Sequence, residues 1–208
     1  MSIFRVFSQN KNNLSEKVAK IFADPPTLQT ERLILRKIVK EDAEDMYEYS
    51  CDPDVTRYLT WSPHTSLRQT ERYIDILQKK YADGSFNDWG LELKDGRKFI
   101  GTCGYTSFDY GKNTAEVGYV LSKDCWGNGL AAEAAKRVME FGFETFGLDG
   151  YFAKHMEGND ASARVMQKCG MKFEGLHRHS MYIKGEFKNI VVYEVTREEY
   201  FEAKNRQK

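Results

Sequence analysis

The chain has 208 residues, enough for one substantial domain and somewhat short for two. Apolar residues make up 41% of it, which allows a well-packed core and disfavours disorder. Lys plus Arg and Asp plus Glu each number 31, so no overall positive charge favours nucleic-acid binding, and no apolar run approaches the ~18 residues of a membrane helix. We therefore expect neither nucleic acid nor membrane among the partners.

Cysteine usage and the N-terminus indicate the compartment. The four cysteines, Cys51, Cys103, Cys125 and Cys169, are scattered without a C-x-x-C pair, which disfavours zinc binding and thioredoxin-like chemistry. The first twenty residues lack the apolar centre and the small-residue cleavage site of a signal peptide. We therefore predict free thiols in a cytoplasmic protein.

The first part of the chain predicts an N-terminal extension followed by one strand and two helices. Residues 1–26 are interpreted as an extension with a short helix near Leu14 to Phe22, ended by the sequence "DPP". The domain itself is predicted to run from residue 27 to residue 204. Within it, alternating apolar residues predict a strand over 31–38, and helical spacing predicts helices over 39–52 and 66–84.

The remainder predicts a strand-rich half with two more helices. Three short strands are expected over 88–94, 98–108 and 115–122, separated by turn-forming sequences. A helix follows over 130–147, where Glu133 and Arg137 have the i,i+4 spacing of an ion pair. The last elements are a strand over 150–156, a helix over 159–170 with Asn159 as its N-cap, and strands over 171–183 and 188–196.

A glycine-rich turn, "CWGNGLAAEA" at 125–134, leads directly into the helix predicted over 130–147. Free N–H groups and the helix dipole favour an anion there, and Gly127 and Gly129 let a ligand approach the backbone. A Walker P-loop is excluded because no Lys-Ser or Lys-Thr follows Gly129. Gly127, Gly129 and Ala132 match the G-x-G-x-x-A dinucleotide pattern, but the strand context and the later acidic residue are missing. A tight turn without any ligand is the remaining interpretation of the glycines alone.

Several motifs in order carry a more specific indication. The segments "VGYVLSKDCWGNGLAAEA" and "NDASARVMQKCGMKFEG" closely resemble the GNAT superfamily of acetyltransferases, and within it the ribosomal-protein N-terminal acetyltransferase (RimJ/RimL-like) branch. That branch shows W-G-x-G-x-A-x-E-A followed by N-x-x-S, positions that are filled here by Trp126, Gly127, Gly129, Ala131, Glu133, Ala134, Asn159 and Ser162. "TERLILRK" and "IGTCGY" also fit, so the resemblance covers about residues 27 to 200. Trp126 stands where the wider superfamily has Gln or Arg.

The resemblance implies an α/β (α+β) fold, with a mixed, mostly antiparallel sheet of about seven strands and helices on both faces. The strands at 115–121 and 150–156 would splay apart to admit the pantetheine of acetyl-CoA, and the helix after the glycine turn would hold the pyrophosphate on its amides. The implied contacts with this cosubstrate are Val120, Leu121, Trp126, Gly127, Asn128, Gly129, Leu130, Ala131, Asn159 and Ser162.

Acetyl transfer from a thioester to an amine needs a neutral amine, a donor for the thioester oxygen and, where the thiolate is a poor leaving group, a proton. Glu116, on the first splaying strand, is the best candidate for the base or for an amine-binding group, and His155 on the next strand is a weaker one. Many superfamily members place a Tyr near the thiolate, but Met166 aligns with it here and cannot donate a proton. Ser162, one helical turn earlier, is therefore predicted to serve the thiolate; unassisted departure and simple helix capping are the alternatives.

The loop between the two early helices is implied to wall the acceptor pocket. Trp61 and His64 on this loop are therefore predicted to contact the substrate, together with Tyr105 and Glu116. His177 and His179 share a strand face but lack a third ligand, so no metal is expected.

The sequence thus predicts an N-acetyltransferase that moves an acetyl group from acetyl-CoA to a primary amine within a ternary complex, as a monomer or homodimer. The acceptor is a protein N-terminus or a small-molecule amine. Two alternatives stay open: a non-catalytic acyl-CoA sensor with the same fold and, with less support, a Rossmann-type NAD-binding oxidoreductase.

Overall fold

The computed structural model describes residues 14–85 and 88–206. Its strands form one eight-stranded sheet in the order β1-β2-β3-β4-β5-β6-β8-β7. The strands are β1 (Leu28–Gln29), β2 (Leu33–Arg36), β3 (Asp88–Leu93), β4 (Phe99–Asp109), β5 (Thr114–Leu121), β6 (Gly150–Met156), β7 (Lys172–Ile183) and β8 (Glu186–Thr196). Every neighbouring pair is antiparallel except β5 and β6.

The helices connect and cover these strands. They are α1 (14–23), α2 (Ala43–Ser50), α3 (Pro53–Thr56), α4 (Leu67–Ala82), α5 (Leu130–Thr145), α6 (Asp160–Lys168) and α7 (Arg197–Asn205), with 3-10 turns at Lys40–Asp42 and Lys123–Cys125. None of the described helices is long and apolar enough to cross a membrane. The cysteines, all within the described ranges, are unpaired thiols, as predicted.

Most predicted elements are present within one to three residues of their expected bounds, and the mostly antiparallel sheet with flanking helices is confirmed. The sheet has eight strands rather than about seven, because the two-residue β1 is too short to show alternation in the sequence. The helix predicted over 39–52 is present as a 3-10 turn followed by α2, and a short helix that was not predicted, α3, starts at Pro53 with Asp52 as its N-cap. The unpredicted α7 starts at a capping box formed by Thr196 and Glu199.

Buried apolar residues form a core on each face of the sheet. Helix α5 packs on one face, with Val138 and Met139 fully buried beside Trp89 of β3. Helices α2 and α4 pack on the other face, where Met46 and Ile74 are almost completely buried. The sheet is therefore the middle of three layers.

Helix α1 is part of the first core. Phe22 is fully buried, and its ring lies 4.9 Å from that of Trp89. Leu14 and Val18 are buried in the same cluster. Residues 14–23 of the predicted N-terminal extension therefore pack against the core of the domain.

The predicted ion pair between Glu133 and Arg137 is not formed. The Glu133 carboxylate instead accepts from the Arg32 guanidinium at 2.6 Å, from the Arg32 amide and from the Thr30 hydroxyl. Three donors near the start of β2 outweigh one half-buried neighbour on the same helix face. This contact ties β2 to the first turn of α5.

The parallel pair β5–β6 positions the site. The two strands are in register only at Thr114–Gly150, Ala115–Tyr151 and Glu116–Phe152. Beyond these three pairs, both strands continue without pairing with each other, β5 to Leu121 and β6 to Met156. A single short parallel pair in an otherwise antiparallel sheet also excludes the doubly wound Rossmann fold considered above.

Candidate active site

A cavity of about 800 Å³ opens where β5 and β6 diverge. Its walls come from β5, β6, the glycine turn, α6 and the segment around α2, α3 and α4. On the β6 side, the backbone N–H and C=O groups of β5 after Glu116 have lost their sheet partner, so an extended ligand could pair with them. The cavity thus combines an open strand edge with side chains from both halves of the chain.

The glycine turn forms one end of this cavity. Gly129 is the N-cap of α5, with φ of 79° and no side-chain cap, so the N–H groups of the first turn lack an intrahelical acceptor. Gly127 also has φ of 79°, and a Cβ there would meet no atom within 4 Å. The glycines therefore allow a left-handed backbone beside open space, a geometry suited to an anion.

Arg32 holds the turn in place. Its guanidinium donates to the Asn128 carbonyl oxygen at 2.9 Å while it pairs with Glu133. Burial alone would raise the pKa of Glu133, but hydrogen bonds from Thr30 and Arg32 outweigh it, so this pKa lies below its ordinary value. The charged Glu133 carboxylate thus holds the Arg32 guanidinium where it donates to the glycine turn.

Cations lie close to the turn. Arg164 and Lys168 of α6 line the cavity, and Lys136 of α5 lies with Lys168 in a smaller depression beside Gly129. Together with the amides of α5, they give this end of the site the positive character that phosphate groups require. Trp126 lies at the edge, 46% exposed, with its indole N–H donating to the Leu121 carbonyl oxygen.

Glu116 is located at the last paired position before the strands diverge. Its side chain is 18% exposed and lines the cavity. Its Oε2 atom accepts from the Ser107 hydroxyl at 3.0 Å and from Lys154 Nζ at 3.2 Å. The predicted base is thus ion-paired on one oxygen, an arrangement that the sequence did not indicate.

Ser162 lies on α6 and faces β5 across the cavity. Its Oγ is 2.9 Å from the Tyr119 hydroxyl, which also donates to the Ser162 carbonyl oxygen at 3.1 Å. Asn159 caps the helix, as predicted, by accepting from the Ser162 amide. Tyr119 was missed by the sequence analysis, although its position on the predicted splaying strand was a usable signal.

His155 of β6 is 8% exposed and lines the cavity. Its Nδ1 lies 2.8 Å from the Met156 carbonyl oxygen, to which it donates. Nε2 is buried with no hydrogen-bond partner among the described residues. Met166, aligned with the tyrosine of other members, is buried and also lines the cavity.

Aromatic side chains of the segment after α3 and of α4 form another part of the cavity wall. The Trp61 and His64 rings are 5.5 Å apart, and the His64 and Tyr73 rings are 5.9 Å apart. His64 Nδ1 lies within hydrogen-bond distance of the Ser50 and Thr70 hydroxyls, and burial lowers the pKa of its imidazole. At neutral pH, this wall is therefore uncharged.

Two of the predicted contacts are not in the cavity wall. Tyr105 is 2% exposed within the α5-side core, and its hydroxyl donates to the Val138 carbonyl oxygen. It faces that core because its neighbours on β4 alternate across the sheet, and it is a packing residue rather than a substrate contact. Asn128, within the glycine turn, does not line the cavity, and its backbone carbonyl oxygen accepts from Arg32. The remaining predicted contacts line the cavity, namely Trp61, His64, Glu116, Val120, Leu121, Trp126, Gly127, Gly129, Leu130, Ala131, Asn159 and Ser162.

The two histidines of β7 lie apart from the cavity. His177 Nε2 is 3.3 Å from Glu174 Oε2, and His179 occupies an irregularity of the strand with φ of 49°. In the part of the chain that the structure describes, no three His, Cys, Asp or Glu side chains are grouped as metal ligands would be.

Asp88, at the start of β3, lines the cavity and was also missed. Its Oδ1 atom is buried and has no hydrogen-bond partner within the described residues. Burial raises the pKa of its carboxyl group to about 7. Nothing in the sequence around "NDWG" indicated this, because its environment comes from α2, α4 and β5.

Comparison with known proteins agrees with this geometry. The acetyltransferase (GNAT) domain model matches residues 32–172. The uncharacterized N-acetyltransferase p20 of Bacillus licheniformis is 33% identical over 84% of this chain and 98% of its own length. Spermidine N(1)-acetyltransferase of Escherichia coli (strain K12) is 26% identical over 76% of this chain and 82% of its own.

Solved structures have the same fold. A GNAT-family acetyltransferase from Bacillus anthracis superposes with a TM-score of 0.74 at 25% identity, covering 83% of this chain and 99% of its own. RimL, a ribosomal alpha-N-protein acetyltransferase solved with coenzyme A, has a TM-score of 0.69 at 16% identity, covering 82% and 98%. At that identity, RimL supports the fold and not the branch. With its splayed strands, its uncapped glycine turn and a family model matching most of its length, the chain belongs to the GNAT family of acetyltransferases.

Proposed function

We propose that the protein transfers the acetyl group of acetyl-CoA to a primary amine by direct attack, with both substrates bound in the cavity between β5 and β6. The observation that carries this proposal is the divergence of the two strands after Glu116, between an anion-suited turn and an aromatic wall. The amine nitrogen forms a bond with the acetyl carbon as the carbon–sulfur bond breaks. One proton leaves the nitrogen and one reaches the sulfur, so the products are an amide and free coenzyme A.

The residues fit acetyl-CoA along the length of the cavity. The amides of the first turn of α5, with Arg164 and Lys168, would hold the pyrophosphate and phosphate groups. The open edge of β5 would pair with the amides of the pantetheine. The thioester would then lie near the last paired residues, beside Glu116 and Tyr119.

Glu116 is proposed to receive the acceptor amine. Its described contacts all involve Oε2, which leaves Oε1 for the amine or for a water that carries the proton away. Lys154 holds the carboxylate in place through this ion pair. Ser162, oriented by Tyr119 and by the helix turn that Asn159 caps, is proposed to donate to the departing sulfur.

The motif resemblance and the relatives support two different classes of acceptor amine. The motif resemblance to the RimJ/RimL-like branch supports a protein N-terminus, and the spermidine acetyltransferase relative supports a small polyamine. Both acceptors are primary amines, which is the level at which we state the function.

The test is free-thiol release from acetyl-CoA with a panel of amines, for wild type and for Glu116→Gln. We expect turnover in the variant to fall on the order of 10²-fold or more, the usual scale for a general base, while acetyl-CoA affinity stays unchanged. Glu44→Gln, an exposed glutamate of α2, is the matched control and should behave as wild type. Wild-type protein that binds acetyl-CoA but releases no thiol with any amine would contradict the proposed function.

A further inference from the structure

We propose that Asp88 forms a second cation subsite in the acceptor pocket, which makes small diamines, rather than monoamines or peptide N-termini, the preferred acceptors. One amino group would be acetylated beside Glu116 while the other stays charged on Asp88. This inference rests on the proposed function and adds the class of its acceptor.

The carboxylates that line the cavity differ in whether a cation accompanies them. Three carboxylates line the cavity within the described ranges: Asp54, Asp88 and Glu116. Asp54 pairs with Lys123 and Arg57, and Glu116 pairs with Lys154. Asp88 has no ion-pair partner among the described residues, and its buried Oδ1 atom has no hydrogen bond there.

An isolated, desolvated carboxylate is costly unless a cation or a proton accompanies it. Burial raises the pKa of Asp88 to about 7, in keeping with a group that lacks a positive neighbour. An ammonium group entering the pocket would supply the missing charge and the hydrogen-bond donors together.

Asp88 and Glu116 lie on the same face of the sheet. Asp88 pairs with Gly104 on β4, and Gly104 pairs with Gly118 on β5, so the three residues form one row across the sheet. Directly paired residues point to the same face, and Glu116 lies two residues from Gly118 on that face. Asp88 and Glu116 therefore project into the same side of the cavity. Gly104 and Gly118 between them carry no side chain of their own, and the methyl group of Thr106 lies over Gly118.

The spacing suits a short diamine. With strands ~4.8 Å apart and a rise of ~3.4 Å per residue, the Cα atoms of Asp88 and Glu116 are about 12 Å apart. In 1,4-diaminobutane, five single bonds of ~1.5 Å separate the nitrogens, which places them about 6 Å apart. Adding ~2.8 Å for a charge-assisted contact at each end gives a span of about 12 Å between the two carboxylates. The Cα atoms are about as far apart, and both side chains project from the same face of the sheet, so their carboxylates can reach this span.

Aromatic side chains share the cavity wall with Asp88. Tyr49 and Tyr73 line the cavity together with Asp88, and burial, Tyr73 and the charge of Asp88 raise the pKa of Tyr49. Tyr73 belongs to the ring series with His64 and Trp61. Aromatic faces attract organic cations, and a neutral His64 does not repel them.

The experiment compares 1,4-diaminobutane with n-butylamine, which has the same chain length and one amino group fewer, by thiol release at pH 8. For wild type, we expect kcat/KM to be at least about tenfold higher for the diamine, since a charge-assisted contact is worth about that factor. In Asp88→Asn, the preference should fall below about threefold through a higher KM for the diamine, with kcat and the KM for acetyl-CoA kept.

Two further variants complete the test. Asp95→Asn replaces an exposed aspartate at the other end of β3 and should keep the wild-type preference. Asp88→Glu keeps the charge and should retain part of the preference, which a purely structural role of Asp88 would not produce. A melting curve for each variant identifies loss of fold. If Asp88→Asn does not fold, the preference for the diamine in wild type and in Asp88→Glu tests the inference.

Three results would overturn the inference. They are equal use of diamine and monoamine by wild type, an unchanged preference in folded Asp88→Asn, and a higher kcat/KM for a peptide N-terminus than for the diamine. Each of these leaves the proposed acetyl transfer intact. Absence of thiol release with every amine, by contrast, contradicts the proposed function itself.

Discussion

Replacing Asp88 with Asn should stabilise the protein at alkaline pH. The carboxyl group has a pKa of about 7 in the folded protein, against an ordinary value of 3.8. Because the folded pKa is raised, the stabilising contribution is complete below about pH 4 and is lost as the pH rises through 7. Above pH 7, the folded protein carries an unpaired carboxylate that asparagine does not reproduce.

The size of the effect follows from the two pKa values. The interval from 3.8 to about 7 corresponds to about 4 kcal/mol at 1.36 kcal/mol per pH unit. Asp88 is partly exposed to the cavity, and water there lessens the cost, so we expect Asp88→Asn to gain about 2 to 4 kcal/mol at pH 8. Below pH 7, this gain should shrink by up to about 1.4 kcal/mol per pH unit.

The assay is urea unfolding at pH 5, 6, 7 and 8, followed by tryptophan fluorescence and circular dichroism to check that both report one transition. Asp95→Asn serves as the control and should show no such pH trend, since Asp95 is exposed. A gain that does not vary with pH, or a variant less stable than wild type at pH 8, would refute the reasoning that the Asp88 carboxylate is desolvated and lacks an ion-pair partner among the described residues.

Three more changes test the rest of the site. Gly129→Val adds a Cβ at φ of 79° and should weaken acetyl-CoA binding at least about tenfold by calorimetry, whereas Gly147→Val, with φ of 68° at the other end of α5, should leave affinity unchanged. Ser162→Ala should slow the single-turnover chemical step at least about tenfold, about 1.4 kcal/mol of barrier, with little change in melting temperature; lost stability with an intact step would instead favour helix capping. Glu133→Gln should cost about 1 to 3 kcal/mol in urea unfolding at pH 7. Because the folded pKa of Glu133 is lowered, the difference from wild type should shrink as the pH falls through that value, and equal stability at pH 7 would contradict the role of its contacts with Arg32.

The sequence determined by itself the elements whose signals are local. The N-cap of α6, Asn159, and the glycine turn before α5 depend on neighbours within a few residues along the chain. The strands β5 and β6 were likewise predicted to within one residue of their bounds. The ordered motifs around Trp126 and Asn159 then indicated the family, and with it the cavity residues of this half of the site.

Only the tertiary structure decided how the charged and polar groups are paired. Glu116 meets Lys154 38 residues later, Tyr119 meets Ser162 43 residues later, and Glu133 meets Arg32 101 residues earlier. Asp88 shares the wall of the cavity with Tyr49 of α2 and Tyr73 of α4, which come from other parts of the chain. Such pairings depend on strand register and on how helices pack across a face, and local sequence does not encode either one. The fold family was therefore predictable from the chain, whereas the electrostatics of the acceptor pocket, with its one uncompensated carboxylate among the described residues, emerged only from the packed structure.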